Sequence, residues 1–258
     1  MNTSVDVSVS GNGALRVTLN RPDRMNAVTT ETLDSIATAF ENYGADPAVR
    51  VAVLSGAGRA FCTGADLSGD DLEHGSAGST LDAANRAVAA IQAFPRPVVG
   101  AVNGPAAGVG VSLAIACDLT VATASSYFLL AFTRVGLMPD GGATALVAAS
   151  IGRARALQLA LLARPLAATA AAEIGLIADA FPDEEFRSSV DALVNELAEG
   201  PRTAYAYTKR AINEATLGGL DQAFAREYAG QSALLAGPEF AEGAAAFLAK
   251  RRADFTAV

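Results

Sequence analysis

The stretch RPVVGAVNGPAAGVGVSLAIACDL, residues 96–119, constrains the fold more than any other part of the chain. RPVVGAVNG is a short apolar run between a proline and a glycine, and it reads as a buried strand. It stops at glycine, passes through a loop of small residues, and opens directly into GVGVSLAIACD, which reads as a helix. A strand that feeds a helix through a short glycine-rich loop is the repeating unit of an α/β fold.

The same rhythm recurs along the chain. VDVSVSGNGALRVTLNRP alternates Val5, Val7 and Val9 with polar residues, turns at GNG, and alternates again through Leu15, Val17 and Leu19, as a hairpin does. In TTETLDSIATAFENYG, Leu33, Ile36, Phe40 and Tyr43 share one helical face, with Thr29 or Thr30 to cap the start and Gly44 to end it. VRVAVLSG reads as a buried strand, and the polar, glycine-rich residues 66–79 as a mobile loop. A helix follows with Leu81, Val88 and Ile91 on its core face. LTVATASSYFLL reads as a strand, and GGATALVAASIG and GRARALQLALLA as helices. From about Pro201 the chain reads as three helices split at LGG and AGPEF. The expected organisation is an α/β core over residues 1–200 and a helical region over 201–258. The large apolar residues of that region (Phe224, Tyr228, Leu234, Leu235, Phe240 and Phe247) are expected to pack on the core or on a neighbouring subunit.

Composition narrows the chemistry. Hydrophobic residues make up 51% and charged residues 18% of 258, so a large core is expected. A net charge of −8 argues against a nucleic-acid partner, whose phosphates need a basic face. The start of the chain lacks the basic and apolar regions of a signal peptide, and no apolar run reaches membrane-spanning length, so a soluble, cytoplasmic protein without a membrane partner is expected. The single histidine, His74, lies in the glycine-rich loop, and no G-x-S-x-G occurs, which leaves no Ser/His/Asp triad. One histidine and two separated cysteines, Cys62 and Cys117, do not make a zinc site, and the cysteines read as buried small hydrophobes. Asp66, Asp70 and Asp71 show no calcium-loop pattern. No metal is expected.

Two loops at strand ends remain, FCTGADL and NGPAAGVGVSL. Neither SGAGRAF nor GPAAGVG has the spacing of a nucleotide-phosphate loop. Each puts small residues where a ligand can approach the backbone. A helix N-terminus presents unsatisfied N–H groups, and two N–H groups aimed at one point form an oxyanion hole. Tight turns with close helix–strand packing explain the same glycines equally well.

At these residues the chain resembles the enoyl-CoA hydratase/isomerase family, the crotonases. The matching pieces are LNRPDRMNAV (19–28), GAGRAFCTGADLSG (56–69), residues 96–119, VGLMPDGGAT (135–144) and FAEGAAAFLAKRRADF (240–255). The resemblance spans nearly the whole chain in the family's order. It implies a crotonase-like α/β spiral of β-β-α turns with a C-terminal helical trimerisation region, in a homotrimer or a dimer of trimers. It also implies an acyl-CoA substrate, with coenzyme A as part of that substrate and no permanently bound cofactor. By position, the oxyanion N–H groups fall on Ala65 and Val109, beside Gly64 and Gly108. The coenzyme A path falls on Ala27, Ala65, Asp66 and Leu67, with Arg24 as a phosphate contact. Phe247 and Lys250 complete it, from this subunit or a neighbour.

The acids depart from the hydratase pattern. The two glutamates with which family hydratases hold water fall on Ser112 and, within a residue, on Phe132. Neither exchanges protons with water near neutral pH. Asp140 matches the place where isomerases of the family carry a single acid, and the ring-opening isomerase of phenylacetate catabolism has an aspartate after the same GL-x-P. Apolar neighbours such as Phe132, Leu137 and Met138 are expected to raise its pKa. Alternatively, Asp140 is the N-cap of the helix that starts at Gly141 or Gly142. The resulting expectation is an enoyl-CoA isomerase with Asp140 as its acid/base. The alternatives are a hydratase using Asp140 alone and a silent acyl-CoA binder.

Overall fold

The computed structural model describes residues 4–66 and 77–258. Leu67, Asp70, Asp71, His74 and most of the glycine-rich loop lie outside the described residues. The hairpin forms as expected, with β1 (Val5–Val9) antiparallel to β2 (Ala14–Leu19). β2 then pairs in parallel with β3 (Val51–Gly56), β3 with β4 (Val98–Val102), β4 with β6 (Leu119–Thr123), and β6 with β9 (Asp179–Phe181). These make one six-stranded sheet.

Both faces of the inner parallel strands are covered, which is why β3 and β4 read as continuous apolar runs, whereas the hairpin strand β1 at the edge is largely exposed and alternates. Ala52 and Leu54 of β3 face the main core with Leu33, Ile36 and Phe40 of α1 (Thr30–Tyr43) and Val88 and Ile91 of α2 (Ala77–Ala93). Val51 and Val53 face the other way, with Val99 and Val121, onto Phe186, Val190 and Val194 of α6 (Asp183–Glu199). Thr29 is the residue that caps α1, its hydroxyl accepting from the Thr32 amide at 3.3 Å.

A second, smaller sheet runs along the strand ends. β5 (Ala106–Ala107) pairs with β7 (Tyr127–Leu129), and β7 with β8 (Leu166–Ala167). Single bridges extend it through Cys62–Ala106 and Val28–Ala65. Each turn of the chain therefore lays one strand in the large sheet and one short piece in the small sheet. It then adds a helix: α1 after Val28, α2 after Ala65, and α3 (Val109–Ile115) after β5. The small sheet holds the two glycine loops side by side.

One sequence expectation needs correction. LTVATASSYFLL is not one strand but two, β6 and β7, in different sheets. The break is built by hydroxyls. The Ser126 amide donates to the Thr123 carbonyl, Thr123 Oγ1 and Ser126 Oγ share a short hydrogen bond, and Ser126 Oγ also reaches the Val102 carbonyl. Serine and threonine offer the backbone such local alternatives to a ladder.

The two helices read over residues 141–163 are α4 (Ala143–Leu162), broken at Gly152, which has φ 77° and ψ 162°. That break, with Arg153 and Arg155 just beyond it, does not suit a bilayer crossing, although α4 is apolar and 20 residues long. Residues after 201 form α7 (Arg202–Leu217), α8 (Leu220–Leu235) and α9 (Pro238–Leu248), as expected. α5 (Ala168–Glu173) lies between β8 and β9.

Candidate active site

The two glycine loops meet backbone to backbone. The Cys62 amide donates to the Pro105 carbonyl at 3.2 Å, and the Ala107 amide donates to the Cys62 carbonyl at 2.8 Å. A Cβ on Gly64 would sit 3.2 Å from the Ala107 carbonyl oxygen and 3.7 Å from Gly108 Cα. Gly64 also has φ 101° and Gly108 φ 55°, conformations that suit glycine. The same closeness recurs at Gly110, where a Cβ would overlap the Cys62 carbonyl.

This packing decides where the amides point. Val28 donates to the Gly64 carbonyl and accepts from the Asp66 amide, both at 2.9 Å. Alternation along an extended segment then turns the Ala65 N–H to the opposite edge, the side occupied by Ala106–Ala107 and Gly108. The Gly108 amide is spent on the Leu129 carbonyl at 2.9 Å, so Val109 bears the first uncommitted N–H of α3. Among the described residues, neither the Ala65 nor the Val109 amide donates to a protein acceptor.

Asp140 is seated against that same helix start. The Ser112 hydroxyl, fully buried, donates to the Asp140 backbone carbonyl at 2.7 Å. A Cβ on Gly141 would lie 3.1 Å from Ser112 Cβ and 3.5 Å from Val109 Cγ2. Ser112 thus fastens the acid's loop to α3 rather than exchanging protons. Phe132 is buried in the main core.

The Asp140 side chain is not a helix cap. The N-cap of α4 is Gly142, without a side-chain cap of its own. The cap comes from Glu227 of α8: its carboxylate accepts from the Gly142 amide at 2.6 Å, from the Thr144 amide at 2.8 Å, and from the Thr144 hydroxyl. The Asp140 carboxylate, 8% exposed, instead accepts from Gln231 Nε2 at 2.7 Å. Burial pushes its pKa from 3.8 up to about 7. The Gln231 donor opposes that rise and the nearby Glu227 charge adds to it. Burial likewise raises the pKa of Glu227.

The remaining sequence-derived residues are placed unevenly. Ala27 and Asp66 are brought together by Arg21, whose guanidinium donates to the Ala27 carbonyl at 2.6 Å and pairs with Asp66 Oδ2 at 2.9 Å. Asn26, buried with φ 54°, accepts from the Arg21 amide and donates to the Ala57 and Ala60 carbonyls. Arg24 sits on the exposed 3-10 turn Pro22–Arg24. Leu67 is among the residues not described. Phe247 and Lys250 lie exposed near the end of α9, which packs through Gly243 against Val135 of the Ala131–Val135 turn. Both cysteines are buried, and burial raises the Cys62 thiol to about 12.

Sequence reading missed Arg21, Asn26, Glu227 and Gln231. A signal for the last two exists. The buried face of α8 is Ala223, Glu227 and Gln231, spaced four apart, whereas Tyr228 is exposed. Two polar residues on the inward face of an amphipathic helix mark a buried polar function.

Comparison with known proteins gives the family and the fold. The enoyl-CoA hydratase/isomerase family model matches residues 10–257. A probable enoyl-CoA hydratase from Rhodobacter capsulatus is 40% identical over 246 residues, 95% of each chain. The 1,2-epoxyphenylacetyl-CoA isomerase of Escherichia coli is 37% identical over 254 residues, again 95% of each. The crystal structure of an enoyl-CoA hydratase from Mycobacterium avium subsp. paratuberculosis superposes with a TM-score of 0.92 at 47% identity, over 98% of both chains. The spiral of β-β-α turns is thus the crotonase fold, and the chain belongs to the enoyl-CoA hydratase/isomerase family.

Proposed function

We propose that this chain is an enoyl-CoA isomerase in which Asp140 moves a proton between two carbons of an acyl-CoA thioester. The amides of Ala65 and Val109 receive the thioester oxygen. The Asp140 carboxylate takes the α-proton of a β,γ-unsaturated acyl group, and the electrons of the broken C–H bond pass onto the held oxygen as a dienolate. The same proton returns to the γ-carbon, the dienolate collapses, and the double bond stands between the α- and β-carbons. Nothing is added or lost, so one acid/base group suffices.

One observation carries this reading. Asp140 is a buried acid at the helix start of Val109, and burial tunes it to about 7, where roughly half is ionised at neutral pH. The positions of the two hydratase glutamates hold Ser112, committed to a backbone carbonyl, and Phe132. Among the described residues, Glu227 is the other buried acid beside Asp140, and α4 occupies both of its oxygens. Among these residues water therefore lacks a second free carboxylate to activate it. The name of the Escherichia coli relative supports isomerisation, and that of the Rhodobacter capsulatus relative supports hydration.

Coenzyme A is assigned to Arg24, Ala27, Gly64, Asp66 and Leu67, with Phe247 and Lys250 supplied by a neighbouring subunit of a homotrimer or dimer of trimers in the cytoplasm. The deciding experiment follows conjugation of a β,γ-enoyl-CoA by absorbance, with hydration of crotonyl-CoA in parallel. Wild type should isomerise, and Asp140→Asn should lose at least about 10³-fold in kcat while still binding the thioester. Hydration without isomerisation would replace this reading with the hydratase. Full activity in Asp140→Asn would remove the acid from the mechanism.

A further inference from the structure

Glu227 and Gln231 lie one turn apart on α8, and both reach the segment that carries Asp140. Glu227 holds its far end, at Gly142 and Thr144. Gln231 holds its near end, with Oε1 accepting from the Met138 amide at 3.1 Å, and it holds the carboxylate itself through Nε2 at 2.7 Å. The orientation of the Gln231 amide is fixed by chemistry. A backbone N–H only donates, so Oε1 must face Met138, and the NH₂ group must then face Asp140. Gln231 is 2% exposed and Glu227 1% exposed, so water does not compete for these bonds.

We propose that Gln231 is a positioning residue for Asp140, and that α8 uses it together with Glu227 to hold the working carboxylate and the backbone that bears it. This rests on Asp140 being the acid/base group. The two residues act on its charge in opposite senses. The Gln231 N–H donates to the carboxylate and favours the ionised form, whereas the Glu227 carboxylate disfavours it. Among the described residues, other groups on the packed elements bring no opposing charge to Asp140. Ser112 and Val109 on α3 and Ala143 and Thr144 on α4 are neutral. Arg226 of α8 acts on Glu227, and Arg134 turns its guanidinium to the Ala163 carbonyl.

The test uses the full chain as Gln231→Met, Gln231→Glu and Glu227→Gln. Two readouts are taken: the pH profile of kcat, and a ¹³C-carboxyl NMR titration of Asp140, assigned by the resonance lost in Asp140→Asn. Gln231→Met should move the acid limb and the Asp140 titration upward by about one pH unit. Gln231→Glu keeps an acceptor for Met138 and should move both upward by more, since two carboxyls then share a proton. Glu227→Gln should move both downward. Opposite displacements are what a merely structural role does not produce. Unmoved profiles, or equal losses at every pH, would overturn the proposal. If Asp140→Asn keeps its rate while the NMR shifts appear, the base assignment fails, and the contact of Gln231 with Asp140 remains as a structural one only. If Asp140→Asn is dead and neither readout moves in the α8 variants, the positioning fails alone.

Discussion

Replacing Asp140 by asparagine should stabilise the protein, and increasingly so as pH rises. Burial lifts the carboxyl from 3.8 to about 7. Between those values the folded chain keeps a proton that the unfolded chain has released, so the unfolded state binds fewer protons and stability falls as pH climbs. The loss levels off above about pH 7, where both states are ionised. Each pH unit inside the window is worth about 1.4 kcal/mol, so the penalty grows by about 2.5 kcal/mol between pH 5 and pH 8. Asparagine at 140 escapes it, because its amide does not ionise and its Oδ1 still accepts from Gln231. The titration of Glu227 occurs in both proteins and largely cancels in the difference. At about 2 cal/mol/K of unfolding entropy per residue, a chain of 258 residues shifts by about 2 °C per kcal/mol. The advantage of Asp140→Asn over wild type should therefore widen by about 5 °C in Tm from pH 5 to pH 8. Differential scanning calorimetry at fixed protein concentration measures it. A difference that stays flat across pH would refute the reasoning, because it would mean that the carboxylate is solvated and titrates at an ordinary value.

Gly64→Ala should cost about 1 to 3 kcal/mol in urea unfolding and at least about tenfold in kcat/KM, since it strains φ 101° and crowds the Ala107 carbonyl. Gly11→Ala, with open space around it, is the matched control and should leave both unchanged. Ser112→Ala should lower stability by about 1 to 2 kcal/mol by removing the hydroxyl donor to the Asp140 carbonyl, with the acid limb of the pH–rate profile left in place.

Much of this molecule is legible in sequence because its elements obey local rules. The hairpin, α1 with its Thr29 cap, and the strands β3 and β4 follow from periodicity and punctuation. The pairing of the two glycine loops is legible only through the family resemblance, since their contact joins residues more than forty positions apart. The role of Asp140 as cap or free acid was open in sequence for a physical reason. An aspartate ahead of a helix is a good cap unless another acid already fills that place. The competitor, Glu227, is 85 residues from Gly142 at the helix start and reads as an ordinary helical glutamate. Arg24 is the cation that the matching motif implies, whereas the structural link between Ala27 and Asp66 is made by Arg21, three residues earlier.

The capping of α4 by Glu227 orders events during synthesis. The ribosome makes the sheet, the glycine loops and Asp140 itself before it makes α8. Until residue 227 emerges, the start of α4 lacks its acceptor, and until residue 231 emerges the acid has no partner. A chain ending before α8 would retain the strands of the large sheet but leave its carboxylate unheld. The environment of the Asp140 carboxylate is thus among the last to be completed, because its final contacts come from α8, Leu220–Leu235 of 258 residues.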